Sequence, residues 1–449
     1  MTRRYRIRAG RPLRGVIRVP GDKSIGHRSL IFASLAEGRS TVTGLSGGLD
    51  NLATAQVFRD MGVRIAIDGT TAEIDGVGLD GLRMPSGDLD CGNSGTTMRL
   101  VAGILAGQRF GTRLVGDASL SRRPMRRIVE PLRARGAHVG GVSGPKEGEV
   151  YPPLSVAPLM DDETLIALEY SSPVASAQVK SCLLLSGLWA RGLTAIAEPV
   201  VSRDHTERMM EALGVPVRVT GPMVLLDPSE WDRRWGGFEW EVPGDVSSAA
   251  FPLVAALMVP GSEVRLEGVG VNPTRTGLLD VLRTMRADLS FEPKGDRAGQ
   301  EPVADLVVRH GGLSPAMTAG ELLTRMIDEV PAFCAVATVA GGRSDVRDAQ
   351  ELRVKESDRL ETSARVLKAF GADCTELQDG MHVHGGARLV GAEVDSGGDH
   401  RIAMMAAVLG MAAEGETVVR DVACVDTSFP GFAARMAALG ADIVEEEAS

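Results

Sequence analysis

Apolar residues along this chain recur in two alternating patterns. One is a run of Ala, Leu, Val and Met that is apolar around most of a helical turn and ends near a glycine. The other is apolar on one helical face only and closes with a signature of the form Leu-x-x-x-Gly-Ala. A strand-like segment follows each. Helices apolar on all sides belong inside a core, whereas those with a single apolar stripe lie nearer the surface. The signature glycine stands at Gly62, Gly136, Gly214, Gly371 and Gly440, with Arg286 in the matching slot of the fourth copy, at intervals of 69 to 85 residues. Self-similarity of this kind marks a repeated supersecondary unit, and six copies of about 75 residues fill the chain.

The pattern predicts buried helices over Ser24 to Glu37, Ser94 to Ala106, Ala177 to Arg191, Ser247 to Pro260, Met326 to Gly341 and His400 to Glu414. Gly38, Gly107, Gly192, Gly261, Gly342 and Gly415 follow them, where a helix end calls for a left-handed residue. Amphipathic helices such as Arg122 to Arg135 and Ser357 to Phe370 complete the units. The segment Val19-Pro-Gly-Asp22 returns as Val242-Pro-Gly-Asp245, three units later. An α/β chain of two lobes is therefore expected, each of three repeats. Residues 21–242 form the first lobe, residues 1–20 and 243–449 the second, with crossovers near 19–22 and 242–245 and the N-terminal strand pairing in the second. The charged, glycine-containing stretch from Glu292 to Glu301 reads as a flexible loop of that second lobe.

Polar residues gather immediately before the buried helices, at Lys23-Ser24, Asn93-Ser94-Gly95, Ser176-Ala177-Gln178, Asp328-Glu329 and Asp399-His400-Arg401. A second set opens the amphipathic helices: Arg122-Arg123, Arg203-Asp-His205 and Lys355-Glu356-Ser-Asp-Arg359. Helix N-termini leave backbone N–H groups unpaired and favour anions, so polar starts on buried helices predict one shared anion-binding cleft. The helix dipole alone contributes only ~0.3–1 kcal/mol at an exposed site. Lys23 and Arg28, one turn apart after the turn-forming Pro20-Gly21, must supply most of the attraction. This is not a phosphate-binding P-loop, because Asp22 separates Gly21 from Lys23.

Composition narrows the chemistry. The chain has 449 residues, 44% hydrophobic and 24% charged, which suits two soluble globular domains. Its net charge of -10 argues against general nucleic-acid binding, so an anionic substrate must be captured by local basic clusters. Cys91, Cys182, Cys334, Cys374 and Cys424 are odd in number and never spaced as C-x-x-C, which fits a reducing compartment without a zinc site. The basic N-terminus lacks the apolar core of a signal peptide, and no run of 18 apolar residues occurs, so a cytoplasmic protein without a membrane anchor is expected. His382 and His384 share a strand face but have no third ligand nearby, and His205 and His400 are expected to hydrogen-bond within the cleft. The cations Lys23, Arg28, Arg123, Arg203, Lys355, Arg359 and Arg401 then face only Asp328 and Glu356. That balance suits acid–base transfer on phosphorylated substrates without a covalent enzyme intermediate.

Seven runs carry a family resemblance: Gly21-Asp-Lys-Ser-Ile-Gly-His-Arg28, Gly92-Asn-Ser-Gly-Thr-Thr-Met-Arg99, Gly116-Asp-Ala-Ser-Leu-Ser-Arg-Arg-Pro124, Ala175-Ser-Ala-Gln-Val-Lys180, Ser202-Arg-Asp-His-Thr-Glu207, Glu351-Leu-Arg-Val-Lys-Glu-Ser-Asp-Arg359 and Asp399-His-Arg-Ile-Ala403. Together they resemble the 5-enolpyruvylshikimate-3-phosphate synthase family over essentially the whole chain. The resemblance implies two lobes of three βαβαββ units and transfer of the enolpyruvyl group of phosphoenolpyruvate to the 5-hydroxyl of shikimate 3-phosphate. It implies a monomer acting on those two small molecules, with no metal and no organic cofactor. Carried over by position, Lys23, Ser24, Arg28, Ser176, Ala177, Gln178, Arg203, Asp328 and Lys355 would hold shikimate 3-phosphate. Lys23, Gly95, Arg123, Gln178, Arg359 and Arg401 would form the phosphoenolpyruvate pocket. Lys23, Asp328 and Glu356 would be catalytic, Glu356 as the proton donor to the methylene carbon.

Two departures qualify the resemblance. A lysine often found before the Phe-Pro of the last unit is absent from Asp426-Thr427-Ser428-Phe429-Pro430, and Leu100 stands where many relatives have proline. Both, with Arg203-Asp-His-Thr, resemble the glyphosate-tolerant branch. Gly95 occupies the position where tolerant relatives of that branch carry alanine, so inhibition is nevertheless expected. The sister transferase acting on UDP-N-acetylglucosamine uses a cysteine in the loop matching Gly116 to Pro124, which contains none. A non-catalytic phosphate-ligand binding protein would have no use for both Asp328 and Glu356, because carboxylates in an anion pocket weaken binding.

Overall fold

Each repeat becomes one small sheet packed on buried helix. The computed structural model describes residues 3–144, 146–297, 299, 301–386 and 388–447. Among them are six four-stranded sheets, and all six contain a parallel strand pair with an antiparallel partner on its far side and a fourth strand beyond. In the second repeat, Leu89–Asp90 runs parallel to Thr112–Val115, which pairs antiparallel with Tyr151–Val156, next to Val139–Val142. Three sheets borrow a strand from distant sequence. Glu239–Glu241 completes the first sheet beside Glu37–Thr43, Arg14–Ile17 completes the fourth beside Glu263–Gly270, and Arg3–Arg8 sits between Glu416–Arg420 and Asp442–Glu447 in the sixth.

The chain divides into two compact units. One contains the residues up to Asp22, Pro243–Gly295 and those from Pro302 onward; the other contains Lys23–Val242 with the described residues of Asp296–Glu301. Each unit has its own apolar core. The core helices are Lys23–Ser34, Gly95–Leu105 and Ala177–Gly187 in the second of these, and Val246–Met258, Val330–Ala337 and His400–Ala412 in the first. They are somewhat shorter than their apolar patterns, because the last residues of each run turn into the following strand or link, and the fifth also starts late, at Val330, after a 3-10 turn over Ile327–Glu329. Several of the starts are fixed locally by side-chain caps: Ser94 accepts from the Thr97 amide, Asp245 from Ser247 and Asp399 from Arg401. Such a cap contributes about 1 kcal/mol.

The repeated signature has a backbone cause. Gly62, Gly136, Gly214, Gly371 and Gly440 all lie in the left-handed region, with φ between 74° and 103°, and Arg286 adopts φ 63° in the same slot. The unit thus needs a left-handed residue at this corner strongly enough to impose it on an arginine. The glycines after the buried helices divide differently. Gly38, Gly192, Gly261, Gly342 and Gly415 are left-handed, but Gly107 is not. A Cβ on Gly107 would lie 2.4 Å from the Trp189 ring, so packing rather than conformation requires glycine there.

The stretch from Glu292 to Glu301 is another correction. Most of it is strand, within Asp288–Arg297 and at the first residue of Glu301–Arg309, while Ala298 and Gln300 lie outside the described residues. Two of its charges are paired across strands although they stay exposed. Arg265 meets Glu292 at 2.5 Å and Asp305 at 2.7 Å, and Lys294 meets Asp305 at 3.0 Å, the kind of contact that stabilises neighbouring strands.

Candidate active site

In the unit built on Lys23–Val242, three helix starts carry their polar residues to one group. Lys23 Nζ lies 2.9 Å from Asp50, and Asn51 Nδ2 donates to the Lys23 carbonyl, so the first turn of its helix is held from the neighbouring helix Leu49–Asp60. Ser24 is half-buried beside it, and its carbonyl accepts from Arg28 Nη1 at 2.9 Å. Arg28 is buried; Nε reaches Thr206 and Nη2 reaches Ser181, both at 2.7 Å. Ser176 caps the helix that begins at Ala177, its own amide donates to Glu198, and Gln178 donates to Thr96 while accepting from Arg99 at 2.7 Å. Arg123 donates to Asn93 at 2.7 Å. Gly95 faces these guanidinium groups, since a Cβ there would stand 2.7 Å from Arg99 Nη1 and 3.3 Å from Arg123 Nη1. Arg203 is half-buried on the connection that leads into helix His205–Ala212.

In the other unit the centre is Arg359, whose side chain is 1% exposed. Its Nε meets Asp399 at 2.8 Å, Nη2 meets Glu356 at 2.5 Å and Nη1 meets Asp328 at 3.3 Å. Burial alone would lower the Arg359 pKa, but Asp399, Glu356 and Asp328 overcome it and raise it. Burial pushes the Asp399 carboxyl up, yet the Arg359 charge wins and holds it below the usual carboxylate range. Arg401 spans the same group, donating to the Asp328 carbonyl and lying 3.7 Å from the Asp328 carboxylate and 3.6 Å from Glu329. Lys355 stands one position from Glu356 and pairs with Glu351 at 3.4 Å.

Cations thus surround two carboxylates in one unit, and helix starts carry lysine and arginine in the other. Residues 7–436 match the family described as EPSP synthase (3-phosphoshikimate 1-carboxyvinyltransferase). This chain belongs to the EPSP synthase family. A protein of Geobacter sp. (strain M21) named 3-phosphoshikimate 1-carboxyvinyltransferase is 50% identical over 429 residues, which cover 95% of this chain and 97% of that one. One of the same name from Synechococcus sp. (strain RCC307) is 49% identical over 435 residues, covering 95% and 97%. A solved structure of EPSP synthase from Acinetobacter baumannii matches with a TM-score of 0.87 and 40% identity over 100% of both chains.

Membership in the EPSP synthase family accounts for the repeat architecture and for the clustering of short polar motifs at helix starts. Several residues in these groups escaped the sequence reading as site candidates. Arg99 and Lys180 lie inside recognised motifs, but nothing in one sequence says that Arg99 binds Gln178 or that Lys180 is buried between two glutamates. Arg275 had no signal at all. It is buried between Asp22 at 3.3 Å and Asp245 at 3.4 Å and donates to Ser247 at 2.6 Å, tying the two Val-Pro-Gly-Asp segments together.

Among the described residues, Asp204, His205 and Glu301 form a group of metal-ligand type, with ligand atoms within 4.8 Å of one another. Two of its members bond to each other, His205 Nδ1 lying 2.6 Å from Glu301, and Asp204 accepts from Arg208 at 2.8 Å. His382 pairs with Asp345 and lies 3.3 Å from Arg347, while His384 is exposed. No described helix is long and apolar enough to cross a membrane.

Proposed function

We propose that this chain transfers the enolpyruvyl group of phosphoenolpyruvate to the 5-hydroxyl of shikimate 3-phosphate, releasing inorganic phosphate. The observation that carries the reading is the placement of two carboxylates, Glu356 and Asp328, on opposite nitrogens of the buried Arg359, with Arg401 beside Asp328. An anion store alone has no use for that pair, whereas proton transfer next to an anionic substrate does. Phosphate release requiring both substrates together tests it; release with either one alone, or none with both, would overturn it.

In this reading Lys23, Ser24, Arg28, Ser176, Ala177, Gln178 and Arg203 hold shikimate 3-phosphate, and Asp328 and Lys355 meet its ring hydroxyls. Lys23, Gly95, Arg123, Gln178, Arg359 and Arg401 receive phosphoenolpyruvate. Charge-assisted hydrogen bonds from so many cations, at about 1.5–3 kcal/mol each, are enough to hold two phosphates and a carboxylate. Arg359 is saturated by carboxylates here, so an anion reaching it competes with Glu356 or Asp328 and loosens one of them for chemistry. Glu356 gives a proton to the methylene carbon, leaving a cationic centre at the enol carbon. The 5-hydroxyl attacks that centre while Asp328 takes its proton, forming a tetrahedral adduct. Loss of a proton from the methyl group back to Glu356 then expels phosphate, which carries off the proton held by Asp328 while the arginines stabilise its developing charge.

Glyphosate should act as a competitor of phosphoenolpyruvate, since a phosphonate and a carboxylate suit the same cations. A methyl group added at Gly95 would press on the far ends of Arg99 and Arg123. Overfilling a packed site costs about 1–3 kcal/mol, or roughly 5-fold to 150-fold in affinity. The Gly95→Ala variant is expected to raise the glyphosate inhibition constant by about tenfold or more within that range, with a smaller rise in the KM for phosphoenolpyruvate. Equal inhibition constants would transfer the effect to Leu100 or to the absent lysine near Thr427.

A further inference from the structure

The helix that begins at Ala177 and the connection before His205 both carry residues assigned above to shikimate 3-phosphate, yet nothing in their own sequence fixes one against the other. A buried carboxylate does so. Glu198 Oε1 accepts from the Ser176 amide at 2.9 Å, Oε2 accepts from the Ser202 amide at 3.3 Å, and the Ser202 hydroxyl lies 2.8 Å from both oxygens. Lys180, one turn beyond Ser176, closes the group. Its Nζ stands 2.8 Å from Glu198 and 2.8 Å from Glu207, with side-chain exposures of 2%, 1% and 3%. Lys180 also approaches the Ser202 carbonyl at 3.5 Å.

The group is expensive to bury. One ammonium faces two carboxylates in a space closed to water, and such an arrangement is rarely more stable than a well-packed apolar one. Burial pushes the Glu207 carboxyl up against the opposing pull of Lys180. A core that needed only stability would be served by aliphatic side chains. What the carboxylate of Glu198 adds is geometry: two oxygens in a fixed plane hold the cap residue of one helix and the residue before Arg203 at a constant separation. The Thr206 hydroxyl, four residues further on, stands 2.7 Å from Ser181 and accepts from Arg28, so the same segment also sets the buried face of Arg28.

We propose that Glu198, balanced by Lys180, is a positioning residue for the shikimate 3-phosphate site: it touches no substrate and acts by locking Ser176 and the Ser202–Arg203 segment into one frame. The inference rests on the proposed activity. The phosphate it serves is a bystander to the chemistry, bound alike in ground and transition states, so loss of the frame should appear as uniform weakening of binding. Glu198→Gln keeps the shape but presents an amide NH₂ to a neighbourhood of donors. Ser202→Ala removes one tie and leaves every charge in place.

Steady-state phosphate release and calorimetric titration with shikimate 3-phosphate decide the matter, on the full chain with thermal melting as a check on folding. Glu198→Gln is expected to raise the KM and Kd for shikimate 3-phosphate by about tenfold, the order expected when a buried donor loses its partner. Ser202→Ala should move them in the same direction by less, while kcat and the KM for phosphoenolpyruvate stay within about twofold in both. Unchanged shikimate 3-phosphate binding in folded Glu198→Gln, or an equal decline in both KM values and kcat, would overturn the assignment. If that variant does not fold, unchanged binding in Ser202→Ala overturns it alone. A wild-type chain that releases no phosphate with both substrates would instead refute the proposed activity, an outcome these variants do not mimic.

Discussion

Replacing Glu356 by glutamine or Asp328 by asparagine is expected to lower kcat by about 10²-fold to 10⁴-fold, the range of a lost general acid or base. Both substitutions keep size and keep an oxygen that can accept from Arg359, whose nitrogens stand 2.5 Å and 3.3 Å from the two carboxylates. Binding of shikimate 3-phosphate should therefore change far less than turnover. An amide cannot give a proton to the methylene carbon, nor take one from the 5-hydroxyl. The double variant should lose little beyond the worse single one, because the two groups serve the same adduct and act as a unit. Kinetics beside calorimetric titration would check this. Turnover at the wild-type rate in either single variant would remove the corresponding residue from the mechanism.

Features with a local cause were legible in the sequence. The left-handed corner at Gly62, Gly136, Gly214, Gly371 and Gly440 reveals the repeat, because no side chain sits comfortably at that φ and the chain writes glycine nearly every time. Polar helix starts were legible for the same reason: Ser94, Ser176 and Asp399 bond to amides two or three residues away. Gly107 misled, since tightness against Trp189 and a left-handed backbone both demand glycine and look alike in one sequence. Glu292 and Lys294 misled because a charged, exposed stretch reads as a loop until the cross-strand partners, Arg265 and Asp305, are in view. Arg275, Lys180 and Glu198 stayed silent, as their ion-pair partners come from 18 to 253 residues away. A buried ion pair has no periodicity to betray it.

Arg359 supports the largest expected loss of stability. Arg359→Met preserves length and apolar bulk but leaves Asp399, fully buried, without its cation, and removes the partner of Glu356 and Asp328. Taking one member from a buried ion pair costs about 3–5 kcal/mol, because the remaining charge keeps its desolvation penalty. The deficit should depend on pH in a definite direction. In the wild type, burial pushes the Asp399 carboxyl up, but the neighbouring arginine outweighs it and the folded pKa lies below the unfolded one. Asp399 therefore contributes stability that is present above its unfolded pKa of about 3.9 and is lost as pH falls through the lower folded value. Without Arg359 only burial and the like charge of Glu356 remain as strong influences, against weaker help from His400, the Ser357 hydroxyl and the Arg401 amide. The folded pKa then rises above the unfolded one, and the sign reverses. The variant should be least stable at neutral pH and recover as acid neutralises Asp399, while the wild type, still above the unfolded pKa of about 3.9, keeps the Asp399 contribution over that descent. Urea unfolding of both forms at pH 7 and near pH 4.5 measures the gap, which should narrow with acid. A gap that stays constant would mean that methionine fails through packing, and that charge compensation at Asp399 is not what Arg359 provides.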